Sequence, residues 1–276
     1  MGVAAQVMMT DGGFTAQDLV ALRVFGAGVL LTLMTLLTER GRVSKLFSDM
    51  VLLRDVVIYG LGVLATQFTF FLAIRDAGAA TAAIITGPLF VIGWIAATTR
   101  KPVSILELAA FCLAATGVVL IITKGDLSVV NFSYSGVLWG LASAACGAFC
   151  TLQPGNAVKK LGVNAVVGFG MLFAGIGALF VYPPTEIDAV WTWETLAGYL
   201  YIIVVGTALA FVCYLKSLDY VPPAVTTILG ASEPLTAVIL SVVLLGTSFT
   251  PVESLGAVLI FATVFILAMR EGRRRA

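Results

Sequence analysis

Apolar runs of about 20 residues recur along this chain from end to end, each long enough to cross ~30 Å of hydrocarbon as a helix. Only 11% of the residues are charged and 60% are hydrophobic. A water-soluble surface needs roughly 25% charged residues, so the chain cannot cover one. A membrane β-barrel needs short segments of alternating hydrophobicity, and that alternation is absent from the sequence. An all-α membrane protein remains. After a short apolar fragment, Met1–Thr10, the spans read Thr15–Thr38, Val56–Ile74, Ala79–Ala97, Ser104–Thr123, Tyr134–Gln153, Val163–Tyr182, Thr195–Lys216, Pro223–Leu245 and Pro251–Arg270. The connections are short and hold Gly, Pro, Asn and charges, leaving no room for a soluble domain.

The basic residues test the count. If the fragment is the end of a first helix running outward, the cytoplasmic segments carry Arg40, Arg42, Lys45, Arg54, Arg100, Lys101, Lys159, Lys160, Lys216, Arg270, Arg273, Arg274 and Arg275. The opposite loops carry only Arg75 and Lys124. This asymmetry predicts ten helices with both termini in the cytoplasm of a bacterial inner membrane. The net charge of +1 makes nucleic acid an unsuitable partner.

The halves resemble each other. Val56–Thr123 tracks Thr195–Arg270, and Ala27-Gly28 tracks Ala174-Gly175. Repeats of five helices, an odd number, must enter the membrane in opposite orientations. The expected organisation is a first repeat over 1–124, an inverted second repeat over 134–270, and a basic cytoplasmic tail over 271–276. The second repeat has residues in its first helix with no counterpart before Met1, which predicts a first helix shortened at its N-terminus.

Pro88 and Pro234 fall near the middle of corresponding spans. A mid-helix proline frees the carbonyl four residues earlier, here Ile84 and Gly230, and such breaks survive in lipid only beside protein or a wet cavity. Paired broken helices point to a transporter's central site. With Gly87, the two prolines are candidate hinges; the plainer reading is a static kink.

Particular residues carry a family resemblance over essentially the whole chain. Ala21-Leu22-Arg23-Val24-Phe25, the pair Gly87-Pro88-Leu89-Phe90 and Glu233-Pro234-Leu235, and the helices opening at Pro102 and Pro251 resemble the EamA type of the drug/metabolite transporter superfamily. The Gly-Glu pair common there before the last helix of each repeat is replaced here by Thr98-Thr99-Arg100 and Leu245-Gly246-Thr247. The resemblance implies export of amino acids and related metabolites, with the aromatic amino acid exporter branch as the nearest expectation.

Candidate substrate-binding residues are Tyr59, Gln67, Thr86, Trp94, Trp139, Tyr214 and Ser232. Neutral hydroxyl and amide groups hold an ammonium or a carboxylate without fixed charge, and rings favour an apolar side chain. The bland alternative is helix–helix bonding or back-bonding to the i−4 carbonyl, which applies equally to Thr66, Thr81, Ser143, Thr207, Thr226 and Thr227. Glu233 is the acidic residue at mid-membrane depth and Arg23 lies near the outer end of its span; each is a candidate coupling or structural charge. The cysteines, Cys112, Cys146, Cys150 and Cys213, read as packing residues. No cofactor or metal is implied, and with no histidine in the chain the Ser-His and Cys-His catalytic pairs are excluded. The sequence predicts a carrier, monomeric or of open stoichiometry, in contact with membrane lipid. Its expected activity is export of small zwitterionic, amino acid-like metabolites with aromatic or bulky apolar side chains, by alternating access. A proton-coupled exporter of drugs or cationic compounds is the alternative; an intramembrane enzyme is the remotest.

Overall fold

A computed structural model describes residues 12–85, 105–129, 133–181, 191–230 and 250–275, with single positions at 4, 8, 232, 235, 236, 239, 240 and 243. Every regular element among them is helical. In chain order these are α1 (Ala16–Thr38), α2 (Arg40–Ser48), α3 (Met50–Ile85), α4 (Ile105–Thr123), a 3₁₀ turn (Leu127–Val129), α5 (Tyr134–Leu152), α6 (Gly155–Leu161), α7 (Val163–Val181), α8 (Trp193–Ile203), a π-helical turn (Val204–Leu209), α9 (Ala210–Ser217), α10 (Pro223–Leu229) and α11 (Pro251–Arg275). Helical runs over Gln17–Thr38, Met50–Ala77, Tyr134–Leu161, Val163–Val181 and Trp193–Ser217 are each long and apolar enough to cross a membrane. The ten-helix count also depends on stretches around Pro88 and Pro234 that lie outside the described residues.

Two connections expected as loops are helices. Arg40–Ser48 winds because Leu46 has a core to enter and Glu39 pairs with Arg42 at 2.7 Å. Asp49 then ends that turn and starts α3, accepting from the backbone N–H of Val51 at 2.9 Å. Gly155–Leu161 winds behind Pro154, whose φ of −74° suits a helix start, and buries Ala157 and Leu161. In turn, α3 runs on across Arg75–Gly78, where the sequence predicts a turn. No proline interrupts it, and Arg75 and Asp76 pair with each other at 2.7 Å without leaving the helix.

The chain forms two compact units, each drawing a segment from both halves. The first comprises Met1–Gln67 and Phe149–Ser217, the second Phe68–Ala148 and Leu218–Ala276.

In the first unit α1 and α7 run antiparallel with their backbones in contact. A Cβ on Gly28 would lie 2.6 Å from Leu172 Cα, one on Gly175 2.7 Å from Phe25 N, and one on Gly168 2.9 Å from Thr32 N. Without a hydrophobic force between helices in lipid, such small-residue crossings supply the attraction through close packing. At one end Thr15 caps α1 by exchanging hydrogen bonds with Asp18, and Thr192 caps α8 in the same way with Thr195. Phe14, Trp191 and Tyr199 stack edge to face there, at 5.1 and 5.4 Å between centroids. At the other end α2 packs against α6, and Arg40, Arg42, Lys45, Lys159 and Lys160 gather.

In the second unit α4 and α11 cross in the same manner. A Cβ on Gly117 would meet Gly256 O at 2.7 Å and Ile260 Cγ1 at 2.7 Å; one on Gly256 would meet Gly117 O at 2.7 Å and Ile121 Cγ1 at 2.9 Å. Phe111, Val118, Ile121, Val225, Ile228, Leu235 and Ile260 form the apolar core around them. Lys124, at φ 53°, and Gly125, at φ 89°, turn the chain at the end of α4. Just beyond, hydrogen bonds from Ser128 hold the Asp126 carboxyl below the usual carboxylate range.

Glu253 locks that end. It is 3% exposed, accepts from Thr250 N at 2.9 Å and Thr250 Oγ1 at 2.8 Å, and pairs with Lys124 Nζ at 3.4 Å. Glu253→Ala is expected to cost about 1–3 kcal/mol, because it removes a cap and leaves the half-buried donors of Thr250 without their acceptor. Thermal unfolding in detergent measures this; an unchanged midpoint would show that the cap contributes nothing.

Candidate functional site

The first unit brings side chains from both of its chain segments into one polar cluster. Tyr59 on α3 is 1% exposed, and its ring lies over Gly170 of α7, where a Cβ would come 2.8 Å from Cε1. One residue on, Gly60 lies against the carbonyl of the same Gly170, with 2.5 Å to a Cβ. These two glycines let a phenol ring enter a helix junction that larger residues would close. On α5, Cys150 Sγ sits 4.0 Å from Tyr59 O, and a Cβ on Gly62 would reach that sulfur at 2.7 Å. Next to it Thr151 Oγ1 shares a 3.0 Å hydrogen bond with Tyr214 Oη of α9. Gln153 closes the end of the cluster, donating from Nε2 to Asp55 O at 2.9 Å, while its Oε1 is buried without a partner.

The chemistry of this cluster is neutral. Hydroxyls and an amide both donate and accept, so they suit a zwitterion's head without holding a fixed charge in the membrane. Among the described residues no group of three or more His, Cys, Asp or Glu side chains could hold a metal ion.

Of the sequence candidates, Tyr59 and Tyr214 are therefore neighbours in one cluster. Gln67, further along α3, is half-buried. Arg23 is half-buried on α1, one residue past Leu22, whose carbonyl accepts from Tyr199 Oη at 3.3 Å. Two candidates belong to the second unit. Trp139 on α5 is 37% exposed. The Ser232 hydroxyl donates to Leu229 O at 2.7 Å, a bond within its own turn. Thr86, Gly87, Pro88, Trp94, Glu233 and Pro234 lie outside the described residues.

Sequence reasoning missed Thr151 as Tyr214's partner, since 63 residues separate them and no local pattern links them. It also missed Asp18 and Glu253, although Thr-x-x-Asp and Thr-x-x-Glu before an apolar run are capping signals legible in any sequence.

The relatives of the chain agree with this picture of a membrane carrier. Residues 134–269 match the EamA-like transporter family. The uncharacterized inner membrane transporter YicL of Salmonella typhimurium is 31% identical over 281 aligned residues, covering 100% of this chain and 92% of the relative. The threonine/homoserine exporter RhtA of Escherichia coli is 26% identical, over 78% of this chain and 72% of its own length. A solved crystal structure superposes with a TM-score of 0.76 over 100% of this chain and 93% of the other, at 16% identity, a likeness of fold alone. With a match along its entire length and spans of membrane-crossing size, the chain belongs to the EamA-like transporter family and is a multi-pass transporter of the inner membrane.

Proposed function

We propose that this transporter exports small zwitterionic metabolites of the amino acid class by alternating access, with both termini in the cytoplasm. The observation that carries the substrate class is the neutral cluster of Tyr59, Thr151, Tyr214 and Gln153 in a helix junction. The relation to an exporter named for threonine and homoserine supports it. Two side-chain classes fit. Hydroxyl groups suit a small polar amino acid; the adjoining phenols of Tyr59 and Tyr214 favour an aromatic or bulky apolar one, the preference the sequence predicts.

Alternating access is supported by the reciprocal form of the glycine crossings. The shift in sequence that carries Gly28 onto Gly175 also carries Phe25 onto Leu172, and these are the pairs in contact. Likewise the shift that carries Gly117 onto Gly256 carries Ile121 onto Ile260. Contacts that are their own image under exchange of partners are what a two-fold relation produces. We read the chain accordingly as two inverted five-helix repeats, 1–124 and 134–270, hinged at Pro88 and Pro234.

The test is flux into liposomes holding the purified full-length protein. Radiolabelled phenylalanine, threonine and a quaternary-ammonium drug are offered with and without a pH gradient. Amino acid flux is expected, and the ratio of phenylalanine to threonine decides between the two side-chain classes. Drug flux that requires the gradient, with no amino acid moving, would overturn the reading in favour of a cation exporter in which Glu233 couples protons.

A further inference from the structure

The span from Trp193 to Ser217 does not stay α-helical. At its middle, Val204–Leu209 widens into a π-helical turn, and Ala210 N–H then bonds back to Thr207 O, only three residues earlier. Inside this turn the Thr207 side chain is 0% exposed and its hydroxyl has no hydrogen-bond partner. Helix breaks of this kind cluster at functional sites, and a buried hydroxyl without a partner is a standing cost to the fold.

The other helical threonines show why this one is different. Thr35 donates to Leu31 O at 2.7 Å, Thr66 to Gly62 O at 2.8 Å, Thr123 to Val119 O at 2.8 Å and Thr263 to Leu259 O at 2.9 Å. Each uses the carbonyl four residues back, which the α-helix places beneath its hydroxyl. A π turn carries more residues per turn than an α-helix, so the carbonyl four residues back does not take its α-helical place beneath the hydroxyl, and Thr207 makes no such bond. Thr32 on α1 also has a buried hydroxyl without a partner. It stands in regular helix, however, where a change of rotamer brings Gly28 O within reach. For Thr207 the backbone itself withholds the local partner. Tyr214 of the polar cluster stands seven residues further along the same span.

We infer that the Thr207 hydroxyl is a substrate contact, held open by the π turn for the ammonium–carboxylate head of the transported zwitterion. The assignment rests on the amino acid export proposed above and extends its site from the Tyr59–Thr151–Tyr214 cluster along the same span. In the conformation seen here the position is sealed, and the transport cycle supplies the missing partner when substrate enters.

The experiment compares Thr207→Val, Thr207→Ser and Thr32→Val with the unaltered protein in liposomes, using phenylalanine and threonine. Thr207→Val is expected to lower kcat/KM by about tenfold or more, the usual loss for one hydrogen bond to a charged group. The factor should be the same for both amino acids, because they share the head and differ in the side chain. Thr207→Ser should restore flux, and Thr32→Val should leave it unchanged. Thermal unfolding without substrate should show Thr207→Val at least as stable as the parent, since its hydroxyl bonds nothing there. Undiminished flux in Thr207→Val, a loss confined to threonine, or a fall in stability that accounts for the lost flux would each overturn the assignment. If the unaltered protein moves neither amino acid, the failure belongs to the export reading and is distinguishable from these.

Discussion

Gly28→Ala is expected to destabilise the protein by about 1–3 kcal/mol, the usual cost of forcing a carbon into a filled interior, while Gly41→Ala should stabilise it by up to ~1 kcal/mol. The substitution is the same and the sign is opposite. At Gly28 the new methyl would lie 2.6 Å from Leu172 Cα and 2.7 Å from Met171 C. Both are backbone atoms of α7, so no rotamer change can clear them and the two helices must part. Because α1 and α7 touch along several turns, parting them at one point loosens Phe25–Gly175 and Thr32–Gly168 as well. At Gly41, inside α2, a Cβ meets nothing within 4 Å, and the gain is the lower backbone entropy of alanine in the unfolded chain. Thermal unfolding of both variants in the same detergent measures the contrast. Equal midpoints for the two would sink the claim that the α1–α7 crossing holds the first unit together.

The second large effect is a coupling. Gly117→Ala and Gly256→Ala should each destabilise the second unit, and the double variant should cost clearly less than the two together. A methyl at either position meets the other's carbonyl at 2.7 Å. The first substitution therefore pushes α4 and α11 apart, and the second enters space already opened. Residues in direct contact show interaction energies of ~0.5–3 kcal/mol in double-mutant cycles. Strict additivity in the measured midpoints would mean that the two glycines do not share one crossing.

Much of this architecture is legible from local chemistry. The start of α1 at Thr15 and of α11 at Thr250 follows from capping boxes, α8 opens in the same way at Thr192, and membrane-crossing length follows from apolar runs. The resemblance of Ala27-Gly28 to Ala174-Gly175 marked the two positions that turn out to hold the α1–α7 crossing. The break expected between Ile74 and Ala79 is absent: α3 runs on through Arg75 and Asp76, whose side chains pair within the helix, and a count of charges cannot reveal this. In the same way, Arg40–Ser48 reads as a charged loop until Leu46 is seen to be buried.

The candidate site divides along the same line. Tyr59 and Tyr214 stand out in the sequence as polar rings within apolar spans, and both enter one cluster. Their companions Cys150 and Thr151 carry no such mark. Ser232, read as a binding residue, donates within its own turn, the common fate of a hydroxyl in a membrane helix.

By itself the sequence determined that the chain is helical and lives in a membrane. It also determined where several helices begin, because backbone hydrogen bonds, helix caps and hydrocarbon thickness act over a few residues and need no partner. Tertiary structure alone decided that Gly28 faces Leu172, that Tyr59 lies over Gly170 beside the Thr151–Tyr214 bond, and that the span from Trp193 widens at Thr207. Those outcomes depend on how closely two backbones can approach. That distance is set jointly by residues far apart in the chain, and no stretch of sequence encodes it locally.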